Sequence, residues 1–427
     1  MAGCATHADR VLRARELFFA GDAVAAAQEL GQQLSDYRSD RDVVALDLAT
    51  AQLFSGRPDE AERTLREVRD RFDQLEQKDL AESAISMFSD DNRRAYAGED
   101  YEKVLIRVML AMSNLMVGGE DAEAYSLQIT EKQQLIIEAG RTPDGQNPKL
   151  AYNRVAVGAY LNGILREATH GNYDDVERSF TKVVSWQPGF SAGARDLERA
   201  RLGVHSSPGN GVVYVFAFVG RGPFKREVSE IPTSEALLIA DRILSVTADH
   251  TLPPTIAPIK VPQVVVSQND VDRVLVAVGG RVVGETETVT DVGRLAAQQY
   301  QAVYPHVLAR AVARRAVKKA AIYSAKSQID SGNTWISLAF DAAGVAWEAT
   351  ESADTRCWCL LPDKIQVLRL ELPAGEHMLS LRAANGPLAI GPESPVAVRL
   401  ENGRNCYLLA SFPGRRAAGP VLVSSRL

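Results

Sequence analysis

Two glycines set 35 residues apart, Gly21 and Gly56, punctuate the front of the chain in the same way. Each interrupts apolar residues at helical spacing. Each is followed five residues on by a small residue, Ala26 or Ala61, and four further on by a leucine, Leu30 or Leu65. Glycine closes a helix because it accepts the left-handed backbone, and alanine lets two helices cross closely. A helical hairpin of this length cannot bury its apolar stripe alone, so it must stack on further hairpins.

Two further units keep the pattern. Over residues 160–188, Gly171 closes a first helix, Phe180 takes the aromatic position of the second, and Pro188 ends the unit. Over residues 104–134, Gly119 and Ala124 take the corresponding places, with Gln128 where an apolar residue is usual. Gly140, Pro143, Gly145 and Pro148 mark a loop between these units. A period near 34 with this punctuation is the tetratricopeptide signature. Residues 9–203 are therefore expected to form an α-solenoid of about four tetratricopeptide-like helical hairpins, whose concave face takes an extended peptide or another protein.

Residues 89–105 break the repeat and are dense in acid: Asp90, Asp91, Glu99, Asp100 and Glu102. Acidic residues at a helix N-terminus complement its dipole, with Tyr96 and Tyr101 packed beneath. The functional alternative is a cell-wall-modifying hydrolase using the carboxylates around Asp90, which needs an environment that splits their pKa values. No Ser/His/Asp arrangement is supported, since none of the six histidines lies in a nucleophile motif.

After residues 203–211, GVHSSPGNG, the period changes from helix to strand. GVVYVFAFVG at 211–220 has strand length, residues 233–245 fit a short helix, and Gly279-Gly280 predicts a hairpin. A helix is expected over 291–326, with Arg310, Arg314, Arg315, Lys318 and Lys319 forming its densest charge. That charge either faces solvent opposite the acidic front half or meets an anionic surface. A buried apolar helix is expected over Thr334 to Ala349, then two hairpins, around Leu372–Gly375 and Asn402-Gly403. The fold class is α+β and multidomain, with a mixed domain at 204–427 ending in antiparallel β-hairpins.

Composition restricts the function classes. Apolar residues make up 46% and charged ones 24%, values of a folded globular chain. The net charge is -6, with acid in excess up to residue 203 and a slight basic excess beyond it, which argues against nucleic-acid binding. No apolar run approaches the ~20 residues of a membrane-spanning helix.

The four cysteines are Cys4, Cys357, Cys359 and Cys406. Ala2-Gly3-Cys4 has the small residues that precede a lipid-modified cysteine, so lipidation of Cys4 is expected, with residues 1–8 as its tether. That expectation needs a charged and apolar signal segment encoded upstream of Met1; a cytoplasmic location is the alternative. Cys357 and Cys359 share a face in an extended chain, with Trp358 opposite, and one of them is a candidate for pairing with Cys406. Cys-x-Cys with His377 is a weak zinc pattern, and no metal or cofactor is assigned. Asp354 and Arg356 also share a face and are expected to form a buried ion pair, with Leu360-Leu361-Pro362 as a stop before the terminal strands.

At three places the chain resembles a family of bacterial lipoproteins with a tetratricopeptide-like front half. These are Asp90 to Leu105, with Tyr96, Gly98 and Tyr101-Glu102-Lys103-Val104-Leu105; Asn147-Pro148; and ADTRxWxxLPxxIQ over Ala353–Gln366 followed by LPAGxH over Leu372–His377. The likeness covers nearly the whole folded chain, and the ADTR segment is its specific part. It implies a secreted envelope protein held to the membrane by a lipid anchor only, with no assigned activity. The expectation for function is a non-enzymatic scaffold or adaptor docking an envelope protein through its helical repeats.

Overall fold

The computed structural model describes residues 7–34, 40–82, 95–141, 146–247, 258–329 and 352–424. A single-turn helix α1 (His7–Arg10) leads into two hairpins, α2 (Leu12–Ala20) with α3 (Ala23–Gln33) and α4 (Arg41–Phe54) with α5 (Pro58–Glu82). A third pairs α6 (Asp100–Val117) with α7 (Ala122–Glu138), and a fourth, after a 3-10 turn at Pro148–Ala151, pairs α8 (Ala156–Glu167) with α9 (Tyr173–Trp186). Helix α10 (Ser191–Arg201) closes the array.

The punctuation acts as its chemistry dictates at two of the four glycines; in the third unit Gly118, φ 72°, closes α6 in place of Gly119. Gly21 and Gly56 adopt left-handed backbone, φ 100° and 88°, and Ala26 and Ala61 are fully buried at their crossings. In the fourth unit the left-handed residues are His170 and Asn172, φ 56° and 53°, which flank Gly171. The close approach there belongs to Gly163, whose missing side chain admits the buried ring of Phe180.

The second half is built on β1 (Asn210–Val219), followed by β2 (Phe224–Glu230), α11 (Ser234–Thr247), β3 (Ile259–Val265), β4 (Arg273–Val278), β5 (Arg281–Glu285) and β6 (Glu287–Asp291). Then come α12 (Val292–Ile329), β7 (Lys364–Pro373), β8 (Gly375–Asn385), β9 (Leu388–Ala389), β10 (Ser394–Leu400), β11 (Asn405–Phe412) and β12 (Leu422–Val423). One sheet has the order β12-β11-β1-β7-β6; a second runs β10-β8-β4-β5 with β9 on β8, and β2 pairs with β3 apart from both. Strand β1 is antiparallel to β7 and parallel to β11.

Only one of the three expected hairpins is made. Gly279-Gly280 closes β4 on β5. The turns at Leu372–Gly375 and Asn402-Gly403 instead carry the chain between sheets, because β7 and β11 lie in the first sheet and β8 and β10 in the second. A turn signal specifies a reversal of direction, not which strand pairs. Both strands of each arch carry an apolar face, and those faces meet between the sheets.

Strand β1 is buried on both faces, which fits its unbroken apolar run. Val213, Val215, Ala217 and Val219 pack between the two sheets against Val274, Val276, Leu379 and Leu381. Val212, Tyr214, Phe216 and Phe218 face the helices, where Phe218 meets Phe54 edge-on at 5.4 Å and Tyr160 lies 6.4 Å from both Tyr214 and Phe216. The first sheet is thus the middle layer of three. The segment at 203–211 changes the secondary structure without dividing the core.

The basic helix does not present one charged face. Arg310 is exposed, but Arg315 is buried and donates to the Pro258 carbonyl at 2.8 Å. Its guanidinium is turned inward because residues on its side of α12 pack against α11 and β3. The side chains of Lys318 and Lys319 lie outside the described residues, as do Cys4, Asp90, Asp91 and the expected helix at Thr334 to Ala349. Among the described residues no helix is long and apolar enough to cross a membrane.

Candidate functional site

Helices α4 and α6 have no free face where a peptide would dock. In α4 every residue from Asp42 to Phe54 is buried, and α6 is buried almost throughout from Tyr101 to Met116. One side of these helices packs on the second helices. The other is covered by the first sheet and by residues 352–363, an extended strap that leads into β7.

The helices hold this strap through its main chain. The Trp358 N–H donates to Glu102 Oε1 at 2.7 Å, and the Leu360 N–H donates to Asp47 Oδ1 at 2.8 Å. The Trp358 indole N–H donates to Thr50 Oγ1 at 2.9 Å, and the side chain is fully buried. At the far end, the Leu361 carbonyl accepts from the Gly222 N–H, and the Asp363 carbonyl accepts from the N–H groups of Val292 and Gly293 that open α12. Pro362 is buried between these contacts. Carboxylates gripping backbone N–H groups of an extended segment amount to peptide recognition within one chain.

Arg356 anchors the start of the strap. It donates through Nε and a terminal nitrogen to Asp354 at 2.9 and 2.7 Å, lies 3.4 Å from Asp40 Oδ1, and stacks 5.3 Å from the Tyr96 ring centroid. Burial works to raise the Asp354 carboxyl, but the Arg356 hydrogen bond and the Lys225 charge outweigh it and hold it below the usual range. Glu102 is different: burial, then the charge of Glu99, pushes it up despite hydrogen bonds from Trp358 and Tyr96. Burial pushes Asp47 up to about 7.

The acidic stretch therefore serves local structure where it is described. Glu99 caps α6 and, with Glu102, forms a reciprocal capping box; Tyr96 and Tyr101 are buried beneath. Asp100 pairs with Lys149 at 2.7 Å and accepts from the Tyr152 hydroxyl at 3.0 Å.

The structure separates the cysteines. Cys357 and Cys359 have their sulfurs 3.7 Å apart, within the core shared by helices and first sheet. Cys406 belongs to the core between the sheets, so the first sheet's own thickness stands in the way of a bridge to either. Cys357, Cys359 and Cys406 are all buried free thiols. His377 is not beside them: it lies in β8 of the second sheet, its Nε2 2.7 Å from the Pro373 carbonyl oxygen. His7 and Asp47, which do face Cys359, carried no motif. Asp47 did leave one trace, a lone acid inside the apolar run VVALDLATAQLF.

On the outer side the array is open. A groove of about 580 Å³ runs between α7 and α9 over α8, lined by Leu127, Thr130, Gln134, Arg154, Lys182 and Trp186. Fold and surfaces together define a helical-repeat protein with a β-rich second half closed onto its first helices. The family model of the tetratricopeptide repeat matches residues 17–83, which span most of α2 through α5. No curated protein and no solved structure matches the chain.

Proposed function

We propose that the protein is a non-enzymatic scaffold of the cell envelope that binds a partner protein through the outer groove of its helical repeats. The observation that carries this reading is the covered inner face: with α4 and α6 sealed by strap and sheet, the groove between α7 and α9 is a pocketed surface that the described repeats offer a partner. Tetratricopeptide repeats act in general by binding proteins. The groove fits an extended segment with an apolar side chain to set beside Leu127 and Trp186 and an acidic group to meet Arg154 and Lys182. Lipidation at Cys4 would hold the scaffold at the membrane, a reading supported by Ala2-Gly3 before it and by the lipoprotein resemblance.

A photo-crosslinking residue in place of Leu127 in the full chain, expressed in its own cells, tests the groove. One discrete envelope protein should be captured, and Trp186→Ala with Lys182→Glu should abolish capture. Capture that survives those changes, or no discrete adduct, overturns the reading. Incorporation of labelled palmitate that is lost in Cys4→Ser tests the anchor.

A further inference from the structure

Four side chains from three distant parts of the chain converge where the strap crosses α4. His7 comes from α1, Asp47 from α4, and Cys357 and Cys359 from the strap. Ligand atoms of His7, Asp47 and Cys359 all lie within 4.8 Å of one another, and the Cys357 sulfur is 3.7 Å from that of Cys359. All four residues are buried, with exposures of 6%, 0%, 1% and 3% in chain order.

Three polar atoms at this point are not satisfied by the described protein groups. Among the described residues, neither ring nitrogen of His7 nor Oδ2 of Asp47 has a hydrogen-bond partner. A buried polar atom without a partner costs about 1–3 kcal/mol, and three in one place call for a common explanation. The other Asp47 oxygen accepts from the Leu360 N–H at 2.8 Å, which fixes the carboxylate beside the cluster. That is how an outer contact orients a metal-binding carboxylate.

We propose that His7, Asp47, Cys357 and Cys359 form a structural zinc site that staples the N-terminus, α4 and the strap together. The geometry suits it. Two sulfurs bound to one tetrahedral zinc at ~2.3 Å each stand ~3.8 Å apart, close to the 3.7 Å between Cys357 and Cys359. The imidazole and the carboxylate, within 4.8 Å of the Cys359 sulfur and of each other, must close in, and the Cys357 sulfur with them, to reach the ~2.0–2.3 Å of bonds to zinc. On binding, the two thiols release their protons to solvent and become thiolates. Two thiolates and a carboxylate leave the zinc complex with one negative charge, and Arg15 supplies a positive field at Asp47 and Cys359. Soft sulfur with imidazole in a closed, dry tetrahedral set favours zinc over calcium or magnesium. A closed set of four protein ligands leaves no open position, so the ion holds structure rather than substrate.

The test uses the full chain carrying Cys4→Ser, which removes that thiol from the question, purified without chelator. Elemental analysis should find about one zinc per chain. Cobalt exchanged into the site should give the visible bands of tetrahedral cobalt with thiolate charge transfer. His7→Ala, which removes a ligand from a single-turn helix and spares the core, should lose most of the zinc, as should Cys359→Ser; Cys406→Ser should keep it. Chelator should lower the thermal midpoint of the parent but not of His7→Ala. Reduced parent protein that takes up neither zinc nor cobalt, or zinc retained in full by both His7→Ala and Cys359→Ser, overturns the proposal.

Discussion

The indole N–H of Trp358 donates to the hydroxyl of Thr50 at 2.9 Å across 308 residues of sequence. This contact places the largest fully buried side chain among the described residues between α4 and the strap. Trp358→Ala should lower the stability of the full chain by about 3–5 kcal/mol, because α4 and α6 cannot collapse into the space. Thr50→Val keeps the volume and strands only the indole donor, so about 1–3 kcal/mol is expected. Urea unfolding of the three proteins gives both values; a Trp358→Ala loss below that of Thr50→Val would show that the strap does not hold the halves together.

Arg356 satisfies Asp354, approaches Asp40 and stacks on Tyr96 while itself 4% exposed. Removing one member of a buried pair leaves the other charge without compensation, so Arg356→Ala should cost about 3–5 kcal/mol. Arg356→Met combined with Asp354→Asn removes both charges and should cost clearly less than the sum of the single changes. A double-mutant cycle by denaturant unfolding measures the coupling, and a coupling near zero would show that the pair is incidental.

The sequence made the helical array legible and left the strap hidden for one physical reason, the range of the interactions. Gly21 with Ala26, and Gly56 with Ala61, act within one hairpin, so local spacing reports them. Trp358 and Thr50 meet through tertiary packing, and nothing near either residue encodes the other. The arches at Leu372–Gly375 and Asn402-Gly403 show the same limit, since a turn residue fixes a reversal while sheet membership depends on distant apolar faces. Gly171 misled differently: its place in the repeat was right, yet His170 and Asn172 carry the left-handed backbone.

That last difference gives a paired test. A Cβ on Gly171 would come no nearer than 4.0 Å to the Thr169 carbonyl oxygen, so Gly171→Ala should change stability by less than about 0.5 kcal/mol. A Cβ on Gly163 would stand 2.7 Å from the buried Phe180 ring. Overpacking of about 1–3 kcal/mol opposes a helix-propensity gain of about 1 kcal/mol for alanine. The clash wins because Phe180 is fully enclosed. Thermal unfolding should rank Gly163→Ala below Gly171→Ala.

Acid should loosen the junction of α5, α6 and α7. Asp73 accepts from Arg107 and Lys132, and Glu76 pairs with Lys103 and Lys132. Burial works to raise both carboxyls, but these partners prevail and hold each below its ordinary value of 3.8 or 4.5. A carboxyl lowered in the folded state stabilises above its unfolded value and loses that contribution as pH falls through the folded one. Stability should therefore be flat in this respect above about pH 5 and decline below about pH 4. Asp73→Asn with Glu76→Gln should flatten the decline and lower stability at neutral pH. An unchanged acid profile in urea unfolding would show that other carboxyls govern it.

The shared core sets what either half can do alone. Phe54, Tyr160 and the residues of α4 and α6 that meet β1 and the strap would face water in a chain ending near residue 203. Exposed apolar patches of that extent drive association. Residues 9–203 produced alone should aggregate or bind a hydrophobic dye strongly, whereas the two halves produced together should form a soluble complex. The intact chain should unfold in a single transition, because the middle sheet belongs to both cores. A soluble, monomeric and dye-free front half, or two separated transitions in the intact chain, would show that the strap and sheet are only docked against the repeats and can leave the inner face open to a partner.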